Sequence, residues 1–146
     1  MFNLFEFIAI LSTTVFCGAA TYVNLAEHPA RMGCDTKTAA TVWGPSYKRA
    51  TPMQASLAVL GFLDGVAVWW LGGGGMWLVG ALLIGLVVPF TLLVIAPINR
   101  RLLESGRDLA SNETRVLLVR WGRLHAVRTL LSLIASMVYV GLAVRS

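Results

Sequence analysis

Charge is scarce in this sequence. Asp, Glu, Lys and Arg supply 13% of its 146 residues, against about a quarter in a soluble domain. The apolar share is 57%. A soluble domain of this size could not hide that much apolar surface, because small domains carry too much surface for their volume. Lipid as solvent removes the difficulty, and a mean hydropathy of +0.73 agrees. Cysteine and histidine are equally sparse, with two of each. Cys17 lies in an apolar run and Cys34 between runs. They sit at different depths and form no C-x-x-C pair, which argues against a disulfide. Neither an H-x-x-x-H nor an H-E-x-x-H spacing occurs, nor a phosphate loop or nucleotide fingerprint. Met1 to Glu6 has no Lys or Arg, so a cleaved secretory signal is not expected. Phe16 before Cys17 also fails the small-residue requirement of a lipoprotein site. Short alternating strands are missing too, which excludes a β-barrel.

What the sequence does have is four long apolar runs, about 4–26, 53–71, 76–98 and 116–144. Each reaches the ~20 residues that cross a bilayer as helix. The last carries Arg120, Arg123, His125 and Arg128 early, so its membrane portion is placed at about 119–143. Spanning segments must satisfy their own backbone, so these are helices. The predicted fold is all-α, a single integral membrane domain over residues 1–146 built as a four-transmembrane-helix bundle. Gly72 to Gly75 reads as a turn. His28 to Pro52 reads as a partly structured loop, with a proline turn between Trp43 and Tyr47.

The net charge is +5 and the pI about 9.9. No basic module with groove-reading geometry is visible, so nucleic acid is not the expected partner. Eleven of the twelve Lys and Arg lie in the first and third connections or at the start of the fourth span, leaving Arg145 on the other side. The positive-inside rule places those connections in the cytoplasm and both termini outside, in a multi-pass cell-membrane protein.

Polar residues inside lipid are costly and therefore informative. Thr13, Cys17, Thr21, Asn24 and His28 fall on one face of the first helix. Trp121, His125, Arg128, Ser132, Ser136 and Tyr139 do so on the fourth. Both stripes are expected to face the bundle interior. Asp64 lies ~16 Å deep and Arg128 ~13 Å deep at the helical rise, and they are the natural candidates for a buried ion pair. Small residues on the third helix, Gly80, Ala81 and Gly85, can pack within one molecule or between copies, which leaves a homo-oligomer open.

The densest cluster gathers at the basic end. Glu27 and His28 offer a general base or metal ligands, with His125 and Arg128 facing them from the fourth helix. Asn24, Arg31, Trp43, Tyr47, Arg49, Gln54, Asn99, Arg100 and Trp121 would surround a lipophilic small molecule. Apolar walls with a few polar groups are the usual make-up of such a site. If a metal or haem is held, His28 and His125 are its predicted ligands; a reaction needing no cofactor is equally consistent.

Four segments give the sequence a family resemblance. They are Asn24-Leu25-Ala26-Glu27-His28-Pro29-Ala30-Arg31, Trp43 with Ser46-Tyr47-Lys48-Arg49-Ala50, Pro97-Ile98-Asn99, and Trp121-Gly122-Arg123-Leu124-His125-Ala126-Val127-Arg128-Thr129. Together they resemble the anthrone-oxygenase-like family of small membrane proteins, many of whose members form a domain of unknown function. The resemblance implies a four-helix membrane bundle with these polar positions at its centre. It also implies an oxidoreductase that uses O2 on a lipophilic aromatic or quinone-like substrate, at the cytoplasmic end of the bundle. Glu27 or His28 would then form an enolate, and Arg31 or Arg128 would stabilise its oxygen. The residues alone leave two other readings open: a small-molecule or ion-binding or transport protein without chemistry, and an accessory membrane subunit.

Overall fold

A computed structural model describes residues 4–145. Four long helices account for nearly all of them: α1 Leu4–Met32, α2 Thr36–Gly73, α3 Gly75–Leu102 and α4 Asn112–Arg145. All four are long and apolar enough to cross a membrane. They form a square in which α1 and α3 each pack against both α2 and α4. The protein is an all-α, four-helix membrane bundle. At 38 residues, α2 is ~57 Å long, well beyond the ~30 Å hydrocarbon layer.

The sequence explains where each helix starts and stops. Asp35 caps α2, accepting from the Thr38 amide at 3.0 Å and the Thr38 hydroxyl at 2.6 Å. Its other end is the glycine turn, where Gly72 and Gly74 both take φ of +94°, a conformation only glycine adopts freely. Ser111 caps α4 by accepting from the Thr114 amide at 3.2 Å. Arg115 then ties α4 to the α1–α2 connection, donating to the carbonyls of Met32 at 2.5 Å and Cys34 at 3.0 Å.

The expected first loop is mostly helix. α2 begins at Thr36 and runs straight through Trp43-Gly44-Pro45-Ser46-Tyr47. Pro45 and Pro52 each forfeit one backbone hydrogen bond, but both lie on the exposed side. The opposite side buries Ala39, Ala40 and Trp43 against Ile95, Ile98, Leu117 and Trp121. Packing of an apolar face outweighs two lost hydrogen bonds, and Trp43 and Tyr47 become i,i+4 neighbours on one helix.

Two wide turns interrupt the other helices near the basic end. Over Val23–Glu27 and Thr91–Ile95 the chain makes π-helix, closed by bonds from the His28 amide to the Val23 carbonyl and from the Ala96 amide to the Thr91 carbonyl. Each is followed by a proline, Pro29 or Pro97. A proline has no N–H and crowds the carbonyl four residues back. Those carbonyls, of Leu25 and Leu93, fall inside the two π segments, where the wider turn relieves the crowding.

At the glycine-turn end, small residues let the helices close in on Tyr139. A methyl on Gly65 would sit 1.8 Å from the Tyr139 hydroxyl oxygen, and one on Gly80 would sit 2.3 Å from its ring. Gly85 meets the Phe62 ring in the same way. Gly80 and Gly85 therefore pack within the molecule. The expected polar stripes also face inward: Thr13, Cys17 and His28 on α1, and Trp121, His125, Ser132, Ser136 and Tyr139 on α4, are buried.

Candidate functional site

The basic end of the bundle is organised around His125. Its Nδ1 donates to the Asn24 side-chain oxygen at 2.7 Å. That oxygen also accepts from the Thr129 hydroxyl at 2.5 Å, and the Asn24 amide donates to the Gly122 carbonyl at 3.1 Å. The amide group is thus fixed from three directions, and it fixes the imidazole in turn. His28 also packs against Trp121. Its Nε2 donates to the Leu118 carbonyl at 3.1 Å, and its ring presses on Gly122, where a methyl would come within 2.5 Å. The Trp121 indole packs against both imidazoles, with centroid separations of 5.1 Å to His28 and 4.9 Å to His125. Trp43 meets the same indole edge-on at 5.8 Å and stacks on Tyr47 at 5.1 Å.

Two cations complete the arrangement. Arg31 is 5% exposed and pairs with Glu27, and both contact the Ser46 hydroxyl. Arg128 donates to the Gln54 side-chain oxygen at 2.8 Å and lies 5.4 Å from the Phe16 ring centre. Two neighbouring cavities open among these groups. The smaller, about 20 Å3, has Arg31, Ser46, Tyr47, Trp121, His125 and Arg128 in its wall. The larger, about 110 Å3, shares Tyr47, Thr51, Gln54 and Arg128 and continues between α2 and α3. Several buried polar atoms around them have no hydrogen-bond partner among the described residues: Arg31 Nε, Arg128 Nε, His28 Nδ1 and the indole nitrogens of Trp43 and Trp121. Leaving a buried polar group unpaired costs about 1–3 kcal/mol, and such costs concentrate at functional sites.

Most of the expected site residues converge here, but their roles divide. His125, Arg31, Tyr47, Gln54, Trp121 and Arg128 face the cavities. Asn24, Glu27, His28 and Trp43 stand behind them as supports. Asn99 is buried, and its side chain has no hydrogen-bond partner among the described residues. Arg49 and Arg100 are exposed and line neither cavity. Thr51 and Phe16 join the site from outside the expected set, and Ser46 and Thr129, which lie in the segments that carry the resemblance, join it as hydrogen-bonding partners. Thr129 stands four residues after His125, so the period that selected the α4 stripe also reaches it.

Asp64 and Arg128 do not form the expected pair; no ion pair joins them among the described residues. Helical side chains lean toward their own N-terminus. For α4 that direction is the basic end, so Arg128 reaches Gln54. Asp64 lies further along α2, beside the Gly61–Gly65 stretch that receives Tyr139.

The expected haem or metal ligands fare differently again. The Nε2 edge of His28 lies against Gly122 and bonds to the Leu118 carbonyl, so that nitrogen has no room for a haem iron. No group of three or more His, Cys, Asp and Glu side chains gathers among the described residues.

The family model described as anthrone oxygenase matches residues 43–138, which run from Trp43 on α2 to the last turns of α4. The chain belongs to the anthrone oxygenase family. A curated relative, anthrone oxygenase tpcL of Aspergillus fumigatus, is 44% identical over 69 residues, covering 44% of this chain and 43% of that protein. The chain thus aligns with less than half of the relative's length. No solved structure matches. Within this anthrone oxygenase family member, the matched stretch holds Tyr47, Gln54, His125 and Arg128, whereas Asn24 and Arg31 reach the site from α1, outside it.

Proposed function

We propose that this family member is an oxidoreductase that uses O2 to convert the acidic methylene of a lipophilic aromatic ketone of the anthrone type into a second carbonyl. The supporting observation is one imidazole, that of His125, held by Asn24 in a cavity wall that also carries two guanidiniums. With Nδ1 committed to Asn24, Nε2 is the nitrogen left to take a proton. The relative's name supplies the substrate class.

The chemistry follows from that geometry. The ketone oxygen lies toward Arg128 and Tyr47, and the methylene toward His125. His125 takes one methylene proton, and the guanidinium stabilises the enolate oxygen that forms. The electron-rich carbon then combines with O2. Loss of the second hydrogen with one oxygen atom as water leaves a carbonyl, so ketone plus O2 gives diketone plus H2O. The apolar walls exclude bulk water and strengthen each charge interaction. Glu27 and His28 become positioning residues in this reading, because Arg31 with Ser46 and the Leu118 carbonyl already engage them. The positive-inside rule puts the site at the cytoplasmic face.

The test is turnover of anthrone by the purified protein in detergent, followed by O2 uptake and anthraquinone absorbance. His125→Ala is expected to lower kcat/KM roughly 10²–10⁴-fold, the usual contribution of a general base. Absence of turnover in the wild type, or an unaffected His125→Ala variant, would overturn the proposal.

A further inference from the structure

The arginines at the basic end fall into two groups. Arg31, Arg101 and Arg107 have carboxylate partners in Glu27, Glu104 and Glu113. Arg115, Arg120 and Arg123 on α4 have none among the described residues. α4 turns these three away from the bundle, because Thr114, Leu117, Leu118, Trp121 and His125 occupy its buried side. Arg115 is held in place by the carbonyls of Met32 and Cys34, whereas Arg120 and Arg123 are exposed. With Val116 and Val119 the three arginines line an open hollow of about 410 Å3 on the outer surface. At the helical period Arg123 lies at the centre of that face, with Arg115 and Arg120 on its two flanks.

The same face continues past the hollow as Val127, Leu130, Ile134 and Met137, all exposed. From Arg123 to Ile134 is ~16 Å of helix, about half of the ~30 Å hydrocarbon layer. One leaflet's depth of apolar surface therefore lies directly below three cations. Like charges on neighbouring turns repel, and no carboxylate of this chain relieves them.

We propose that this face binds one anionic phospholipid, with its phosphodiester among Arg115, Arg120 and Arg123 and an acyl chain along Val127, Leu130 and Ile134. Charge complementarity selects the headgroup. Guanidinium forks match phosphate oxygens, and a zwitterionic headgroup brings an ammonium that the three cations repel. The apolar run below selects a lipid over free phosphate or an acidic protein segment, neither of which has a chain to lay along it. None of the residues lining the hollow borders the two cavities of the candidate site, so the lipid site stands independently of the proposed oxidation.

Phosphatidylglycerol is the probe, and phosphatidylcholine with the same chains is its zwitterionic counterpart. The full chain is placed in nanodiscs holding equal parts of the two, and native mass spectrometry reads which lipid stays bound. Each guanidinium at an anionic lipid surface contributes about fivefold in affinity, so the wild type should retain one phosphatidylglycerol with a preference of at least about tenfold. Arg120→Gln combined with Arg123→Gln should remove that preference. Arg49→Gln combined with Arg100→Gln, at two exposed positions on other helices, changes the net charge equally and should leave it intact. Phosphatidylglycerol carrying a diazirine on one acyl chain should label the outer face of α4 over 127–134 in the wild type, a readout that needs no variant. Equal loss in both double variants would reduce the effect to overall charge and overturn the proposal. So would the absence of any preference, labelling away from α4, displacement of the lipid by inorganic phosphate at constant ionic strength, or a second protein chain retained in place of the lipid.

Discussion

His125 and Asn24 act as one unit: the imidazole Nδ1 donates to an amide oxygen that Thr129 also holds, at 2.7 and 2.5 Å. The bond selects the tautomer and aims the opposite nitrogen. Asn24→Ala should therefore lower kcat about 10–100-fold, the size of effect seen when an orienting partner of a histidine is removed. KM should move little. Steady-state kinetics with anthrone check this, and a fall confined to KM would contradict it.

At Gly122 the His28 ring of α1 lies directly against the backbone of α4. Gly122→Ala forces overlap with that ring and should cost about 1–3 kcal/mol. Adding His28→Ala removes the obstacle, so the double variant should unfold at a higher temperature than Gly122→Ala alone. Thermal unfolding in detergent measures both.

Arg128 should couple to Gln54 and not to Asp64. A double-mutant cycle of Arg128→Met with Gln54→Leu should give an interaction energy of about 0.5–3 kcal/mol, and the cycle with Asp64→Asn should be additive within about 0.5 kcal/mol. Coupling to Asp64 would reinstate the pair that depth alone suggests.

These cases show what the sequence can and cannot carry. The inward stripes of α1 and α4 follow from helical period and the cost of polar groups in lipid, and Thr13, Cys17, His125 and Ser136 lie where those rules put them. Counting rise per residue placed Asp64 and Arg128 at similar depth, but rise says nothing of which way a long side chain leans. The Trp43–Tyr47 segment read as a loop because proline is a strong local signal. Burial of Trp43, which needs the fold to be known, outweighed it. Glu27 and His28 looked like reactive groups because the sequence does not show that Ser46 and the Leu118 carbonyl occupy them.

Sidedness has a direct readout in the two thiols. Cys34 is exposed and Cys17 buried. If the basic connections are cytoplasmic, a membrane-impermeant maleimide should label Cys34 in inside-out vesicles and leave intact cells unlabelled. Labelling of intact cells would invert the proposed topology.

The start of α2 should depend on pH. The Thr38 hydroxyl and amide that bond to Asp35 hold its carboxyl below the ordinary range. The cap therefore contributes fully above the unfolded value of ~3.9 and is lost as pH falls through the lower folded value. Amide exchange in the Thr36–Thr38 turn should quicken over that acid window, and Asp35→Ala should show the fast rate at every pH.

The π segment at Val23–Glu27 bears on how this family can vary. A wide turn of that kind amounts to one extra residue accommodated in a helix, so losing one residue there restores an ordinary helix without breaking the chain's path. Leu25, 76% exposed, is the position where such a deletion would be least noticed by the core. The turn absorbs the change, so His28 and Arg31 keep their places while the side chains within the turn, Asn24 among them, are re-aimed. Insertions and deletions at this one turn thus act as a selector, deciding which side chains of α1 are presented to the site while leaving the rest of the bundle in register.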